Sequence, residues 1–148
     1  MTYLYTLNMT KKITHKDYVD YNFSLIGICT QEDDYKICHL LNREFEIDFE
    51  RINDIEILLP KQGNVVKFAC FKYEDEDADL FWYLTANRNP AINLLPEQKQ
   101  ADFLLRVIGE SDQNNPDDFV SRIKEIKTVL TAFVIDPHRI KSIENILF

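Results

Sequence analysis

The feature that most constrains this chain is a pair of β-rich runs, residues 65–73 and 80–87, set around the acidic stretch Glu74-Asp75-Glu76-Asp77-Ala78-Asp79. Both runs are dense in β-branched and aromatic residues, and the charged stretch between them belongs in water. The pair therefore reads as an antiparallel hairpin with a solvated tip. Successive side chains of a strand point to opposite faces. Val65, Ala69, Phe71 and Tyr73 thus face one way and Val66, Phe68 and Cys70 the other, while Phe81 and Tyr83 oppose Trp82 and Leu84. A sheet backed by one helix layer needs a single apolar face. This hairpin carries aromatic residues on both, so its second face needs a cover: the chain's own loops and C-terminal segment, a second copy, or a ligand.

The rest of the chain supplies the layers. Residues 21–29 (YNFSLIGIC) are apolar on both alternations and read as a central strand. Over residues 33–47, Ile37, Leu41 and Phe45 recur at helical spacing, with Cys38 and Leu40 widening the stripe and acidic residues at the start favouring a helix N-terminus. A strand over residues 52–59 ends at Pro60 and the turn residues Gly63-Asn64. After a loop holding Pro90 and Pro96, residues 101–108 read as a strand closed by Gly109. A second helix starts with Asn115 as N-cap, Pro116 at the first helical position and Asp117 and Asp118 in the first turn. Its stripe is Phe119, Ile123, Ile126 and Leu130. A last strand over residues 129–135 stops at Asp136-Pro137, and residues 138–148 hold a short helix and an apolar anchor. The order β-α-β-β-β-β-α-β predicts an α+β two-layer sandwich, a largely antiparallel sheet with two helices. Ferredoxin-like βαβ units fit that order, and a doubly wound parallel sheet does not.

The 148 residues suit one domain with one good core. A formal net charge of -8, with lysines and arginines scattered along the chain, repels a phosphate backbone and leaves no basic stripe, so no nucleic-acid partner is expected. No apolar run approaches the roughly 20 residues of a spanning helix, and the start lacks a leader pattern. The expectation is a cytoplasmic protein with no membrane partner. Cys29, Cys38 and Cys70 are an odd number and each lies inside an apolar segment, which predicts buried free thiols.

Candidate chemistry is sparse. Cys38 and His39 are adjacent, but neighbours on a helix point about 100° apart and cannot act as nucleophile and base together. The cysteines, with His15, His39 and His138, show no paired zinc spacing. Asp75, Asp77 and Asp79 alternate as in a calcium loop, yet Leu80 stands where the turn glycine belongs and Ala86 where the bidentate glutamate belongs. Three glycines leave no phosphate-cradling loop. No metal, cofactor or catalytic residue is predicted from these patterns.

Leu95-Pro96-Glu97-Gln98-Lys99-Gln100-Ala101-Asp102-Phe103 resembles the signature of the small bacterial family called IPExxxVDY: Pro96, Glu97 and Asp102 match, with Leu95, Ala101 and Phe103 as apolar or aromatic replacements. The resemblance extends to Asp20-Tyr21-Asn22-Phe23, to Asp34-Tyr35-Lys36, to Ile135-Asp136-Pro137 and to Glu144-Asn145-Ile146-Leu147-Phe148. It implies a bacterial cytoplasmic protein and transfers no activity, cofactor or catalytic residue. It also implies a start near Met9, with residues 1–8 an upstream extension. Read physically, Pro96 sets the loop into a strand, Ala101 and Phe103 enter the core, and Glu97 or Asp102 caps neighbouring backbone N–H groups.

The expected function is a non-enzymatic protein-interaction module acting as a homodimer or with another protein, with Phe71, Tyr73, Phe81 and Tyr83 as the candidate interface. The alternatives are a small-molecule-binding regulatory domain of ferredoxin-like type, its ligand unknown, and an enzyme using Glu97 and Asp102 in one cleft.

Overall fold

The computed structural model describes residues 21–148; the Met9 start and the upstream extension lie outside the described residues. The strands are β1 (Phe23–Thr30), β2 (Glu50–Leu59), β3 (Asn64–Asp75), β4 (Leu80–Ala86), β5 (Phe103–Ile108) and β6 (Val129–Val134). The helices are α1 (Asp34–Phe45), after β1, and α2 (Pro116–Lys124), after β5, and two 3-10 turns, Pro137–Arg139 and Ile143–Ile146, follow β6. The strands form one sheet in the order β2-β3-β4-β5-β1-β6, every neighbouring pair antiparallel.

That order explains why β1 is apolar throughout: it lies inside the sheet between β5 and β6, buried from Ser24 to Thr30. Strands β5 and β6 flank it and are joined by α2, a split βαβ unit of the ferredoxin-like kind. Beyond β4 the meander adds β3 and β2.

Both helices start on side-chain caps. Asp33 accepts from the backbone N–H of Lys36, and Asn115 accepts from those of Asp117 and Asp118. Their apolar stripes cover one face of the sheet, where Ile37, Leu41, Phe119 and Ile123 pack on Ile26, Ile28, Trp82, Leu84 and Leu105. Four aromatic rings meet there, with Trp82 lying 5.2 Å from both Phe45 and Phe119 and 6.5 Å from Phe49.

The opposite face is covered by irregular chain. Leu94, Leu95, Ile135, Ile140, Ile143 and Ile146 close over Leu25, Phe68 and Leu104. Of the three covers open to the hairpin's second face, the chain's own loop and C-terminal segment take most of it.

The second helix is shorter than its apolar periodicity predicts. The backbone N–H groups of Glu125 and Ile126 bond to Arg122 and Ile123, closing a tight last turn. Leu130 therefore belongs to β6, where it is 71% exposed, and not to the helix stripe. At the hairpin tip Asp79 takes a left-handed conformation, φ 56°. Gly109 lies against that turn: a Cβ there would stand 2.6 Å from the Asp79 carbonyl oxygen.

Candidate functional site

The signature residues lie in the connection between β4 and β5, a loop without strand or helix held by one side chain. Asn87 is fully buried; its amide nitrogen donates to the carbonyls of Gln98 and Ala101, and its oxygen accepts from Leu95. Leu95 and Ala101 are buried beneath the sheet, while Phe103 enters the helix-side core. Pro96 is exposed and lines a surface depression with Arg88, Ile92 and Lys99.

Glu97 and Asp102 are each bound to a different element. Glu97 accepts from the hydroxyl of Ser142 at 2.5 Å and from its backbone N–H at 3.1 Å, tying the loop to the C-terminal segment. Burial alone would raise its carboxyl, but the Ser142 hydroxyl and backbone N–H groups outweigh it and hold the pKa below the ordinary value. A general acid needs the opposite shift. Asp102 accepts from the backbone N–H of Thr30 at 2.8 Å and pairs with Arg88. It lines a second depression with Glu32, Asp33 and Phe103, where the α1 N-terminus meets the end of β1. Both carboxylates thus accept from backbone N–H groups that lie 45 and 72 residues away along the chain, where the sequence reading expected neighbouring ones.

The aromatic quartet does not form one face. In the β3–β4 register Tyr73 stands opposite Trp82 and Phe71 opposite Leu84, whereas Phe81 faces Glu74 and Tyr83 faces Lys72. Residues directly opposite one another share a face. Phe71 and Tyr73 therefore pack on the helix side, with Phe71 only 3% exposed, while Phe81 and Tyr83 lie on the other side. A single interface built from Phe71, Tyr73, Phe81 and Tyr83 is corrected to two separate pairs, because the strand alternation that divides each run also divides the quartet.

The thiols are quiet. All three cysteines are free and buried. Burial pushes Cys38 and Cys70 up to about 11 and raises Cys29, whose thiol also donates to the Gln100 carbonyl. Protonated thiols at neutral pH are poor nucleophiles. His39 is exposed on α1, turned away from buried Cys38. Among the described residues no group of three or more His, Cys, Asp and Glu side chains is placed to hold a metal ion, and no helix is long and apolar enough to cross a membrane.

No protein-family model matches the chain, and no curated protein matches it. The functional residues must therefore be found in the geometry.

The sequence patterns did not announce Asn87 as the loop's anchor, nor the burial of Arg106 or the edge position of β6. Arg106, at the centre of β5, is 4% exposed and lies under Phe148 on the face away from the helices. Burial pushes its pKa down to about 10, which leaves it charged at neutral pH. A signal for it existed: the run Phe103-Leu104-Leu105-Arg106-Val107-Ile108 is apolar on both alternations, so its lone cation is buried whichever face it takes. The last of them is β6, an outer strand without a single charged residue.

Proposed function

We propose that this protein is a non-enzymatic protein-interaction module that acts as a homodimer by pairing the β6 edges of two copies. The observation that carries the reading is the contrast between the two edges of the sheet. β2 bears Glu50, Arg51, Asp54 and Glu56, charges that are ordinary protections against edge pairing, and both edge strands carry a register shift. β6 reads VLTAFV and exposes Leu130 at 71% and Val134 at 46%.

Strand alternation fixes which backbone groups are free. The N–H of Ile135 bonds to the Leu25 carbonyl of β1, so Phe133 and Thr131 also turn their backbone groups inward, and Ala132 and Val134 turn theirs out. A two-fold axis at Ala132 would pair it with its own copy and set Leu130 of each protomer against Val134 of the other. The two exposed side chains would then cover each other, the self-complementary contact an isologous dimer requires. The register shift at Cys29/Thr30 falls at Leu130, which lies between Thr131 opposite Cys29 and Val129 opposite Thr30, so β6 is regular from Thr131 onward.

The likeness of Pro96, Glu97 and Asp102 to the signature supports a further proposal, that the chain is related to the IPExxxVDY family and is a bacterial cytoplasmic protein. A small-molecule-binding regulatory domain is the second reading, favoured by the buried Arg106.

Light scattering across a concentration series tests the dimer. The expected result is a dimer that dissociates on dilution and becomes monomeric, still folded, in Val134→Pro, whose lost N–H faces outward, and in Leu130→Lys. A wild-type monomer at every concentration sinks the homodimer. A dimer unaffected by both variants keeps the homodimer and removes β6 from it.

A further inference from the structure

The residues that match the signature converge on one place. Pro96 lines the depression on the β4–β5 connection, which measures about 700 Å³. Asp102 holds the Arg88 side chain that forms one wall of it, and Glu97 ties the same loop to Ser142. Two prolines and the bonds of Asn87 fix the backbone here in advance, so little of the ordering cost of binding would fall on this side.

The lining combines an apolar floor with positive charge. Pro90, Ile92 and Pro96 are apolar, Arg88 and Lys99 are cations, and no acidic side chain lines the depression, in a chain of net charge -8. Lys99 enters none of the ion pairs among the described residues, and Arg88 meets Asp102 through Nε, which leaves its terminal nitrogens for another acceptor. The carboxylates of the same connection are engaged elsewhere, Glu97 by Ser142 and Asp102 by Thr30 and Arg88. The patch is therefore complementary to an anion that carries an apolar group.

Shape separates a small molecule from a chain segment. Arg88, Pro90, Pro96 and Lys99 are exposed. Small-molecule sites cover roughly 70–90% of the ligand's surface, whereas so open a lining leaves one side of its occupant in water. An extended segment tolerates that, because its contacts continue past the rim. The side-chain amide of Asn93 has no hydrogen-bond partner among the described residues and offers the donor and acceptor that a peptide backbone needs. This chain's own acidic run fits poorly: residues 74–79 form a tight turn in which Asp75 accepts from the Ala78 N–H, and Ala78 is the only apolar side chain there.

We propose that this depression docks an acidic peptide segment of another protein, an extended stretch whose large aliphatic side chain rests on Pro90, Ile92 and Pro96 while flanking carboxylates meet Arg88 and Lys99. The proposal goes beyond the homodimer. No lining residue belongs to β6, so a monomeric protein would retain the depression, and light scattering and peptide binding can fail independently.

The test is an array of immobilised nine-residue peptides probed with the full chain. Their three central positions are drawn from leucine, isoleucine, valine and proline, and the three on each side from aspartate and glutamate. The tightest binder is then measured in solution by fluorescence anisotropy. Lys99→Glu and Arg88→Ala should each weaken it by about tenfold, as loss of one charge-assisted contact implies. Both positions are exposed, and circular dichroism should show both variants folded; if Arg88→Ala is not, Lys99→Glu decides. Alanine in the three central positions should weaken the peptide at least about tenfold, and lysine in place of the acidic flanks should abolish binding. Absence of any array peptide held more tightly by wild type than by Lys99→Glu overturns the proposal. So does equal binding of the alanine-centred peptide, which would be general attraction between charges. A synthetic peptide of residues 72–82 binding as tightly as the best array peptide overturns the outside partner and makes the occupant a second copy.

Discussion

The backbone N–H of Leu95 donates to the side-chain oxygen of Asn87 at 2.7 Å, while the nitrogen of the same amide reaches the carbonyls of Gln98 and Ala101 at 2.9 and 2.8 Å. One buried side chain replaces the hydrogen-bond ladder that this connection lacks. Asn87→Ala leaves two buried backbone groups, at Leu95 and Ala101, and the half-buried Gln98 carbonyl without that partner, at an expected cost on the order of 3 kcal/mol. Urea unfolding should show a lowered midpoint with little change in slope.

Asp102 bonds to the Thr30 N–H and pairs with Arg88, and the two contacts differ in weight. Arg88 is 61% exposed, so Arg88→Ala is expected to cost less than about 1 kcal/mol. Asp102→Ala orphans the partly buried N–H of Thr30, the last residue of β1, and should cost about 2 kcal/mol. Equal losses in the two variants would show that the ion pair, and not the backbone cap, does the holding.

Gly27 lies beneath the Phe133 ring: a Cβ there would stand 2.6 Å from the ring's Cζ. The glycine on β1 and the aromatic residue opposite it on β6 thus form a fitted pair. Gly27→Ala is expected to destabilise by about 1–3 kcal/mol through overpacking. Gly27→Ala combined with Phe133→Leu should recover part of that loss, a non-additivity that thermal melts of the four-member cycle would read directly.

Glu97 gives the fold a pH dependence of known sign. Its carboxyl is held below its ordinary value of 4.5, because hydrogen bonds from Ser142 outweigh burial. The folded state therefore takes up its proton later than the unfolded state on acidification. The contribution is complete above 4.5 and fades as pH falls through the lower folded-state value. Melting temperatures of wild type and Glu97→Gln should differ at neutral pH and converge on the acid side. Parallel curves down to acid pH would remove Glu97 as the cause.

The order and type of the regular elements were legible because each announces itself locally. Asn115-Pro116-Asp117-Asp118 marks a helix start, and the acidic run marks the hairpin tip. Less legible was where a pattern stops. Leu130 continues the helical stripe of Phe119 and Ile123, and only the tight turn at Glu125 and Ile126 hands it to the edge strand. The aromatic quartet failed for a related reason. Alternation sorts each run into faces, but which face of β3 joins which face of β4 depends on a register that neither run encodes alone. Glu97 and Asp102 were expected to cap neighbouring backbone groups, but their partners Ser142 and Thr30 lie 45 and 72 residues away, a separation no local pattern shows. Asn87 was invisible, since a polar residue at a strand end reads as surface until a loop folds over it.

The position of β1 also sets a timetable. This strand is made first among those described, yet the Cys29–Gln100 bond spans 71 residues and the Thr30–Thr128 bond spans 98. At about 5–20 residues per second of synthesis, its neighbours follow it out of the ribosome by roughly 4–20 seconds. During that interval an apolar strand stands with both edges bare, while the β2-β3-β4 meander is free to pair within itself. The nascent chain is thus most open to aggregation before β5 appears, and whatever shields it during translation must act on residues 23–30.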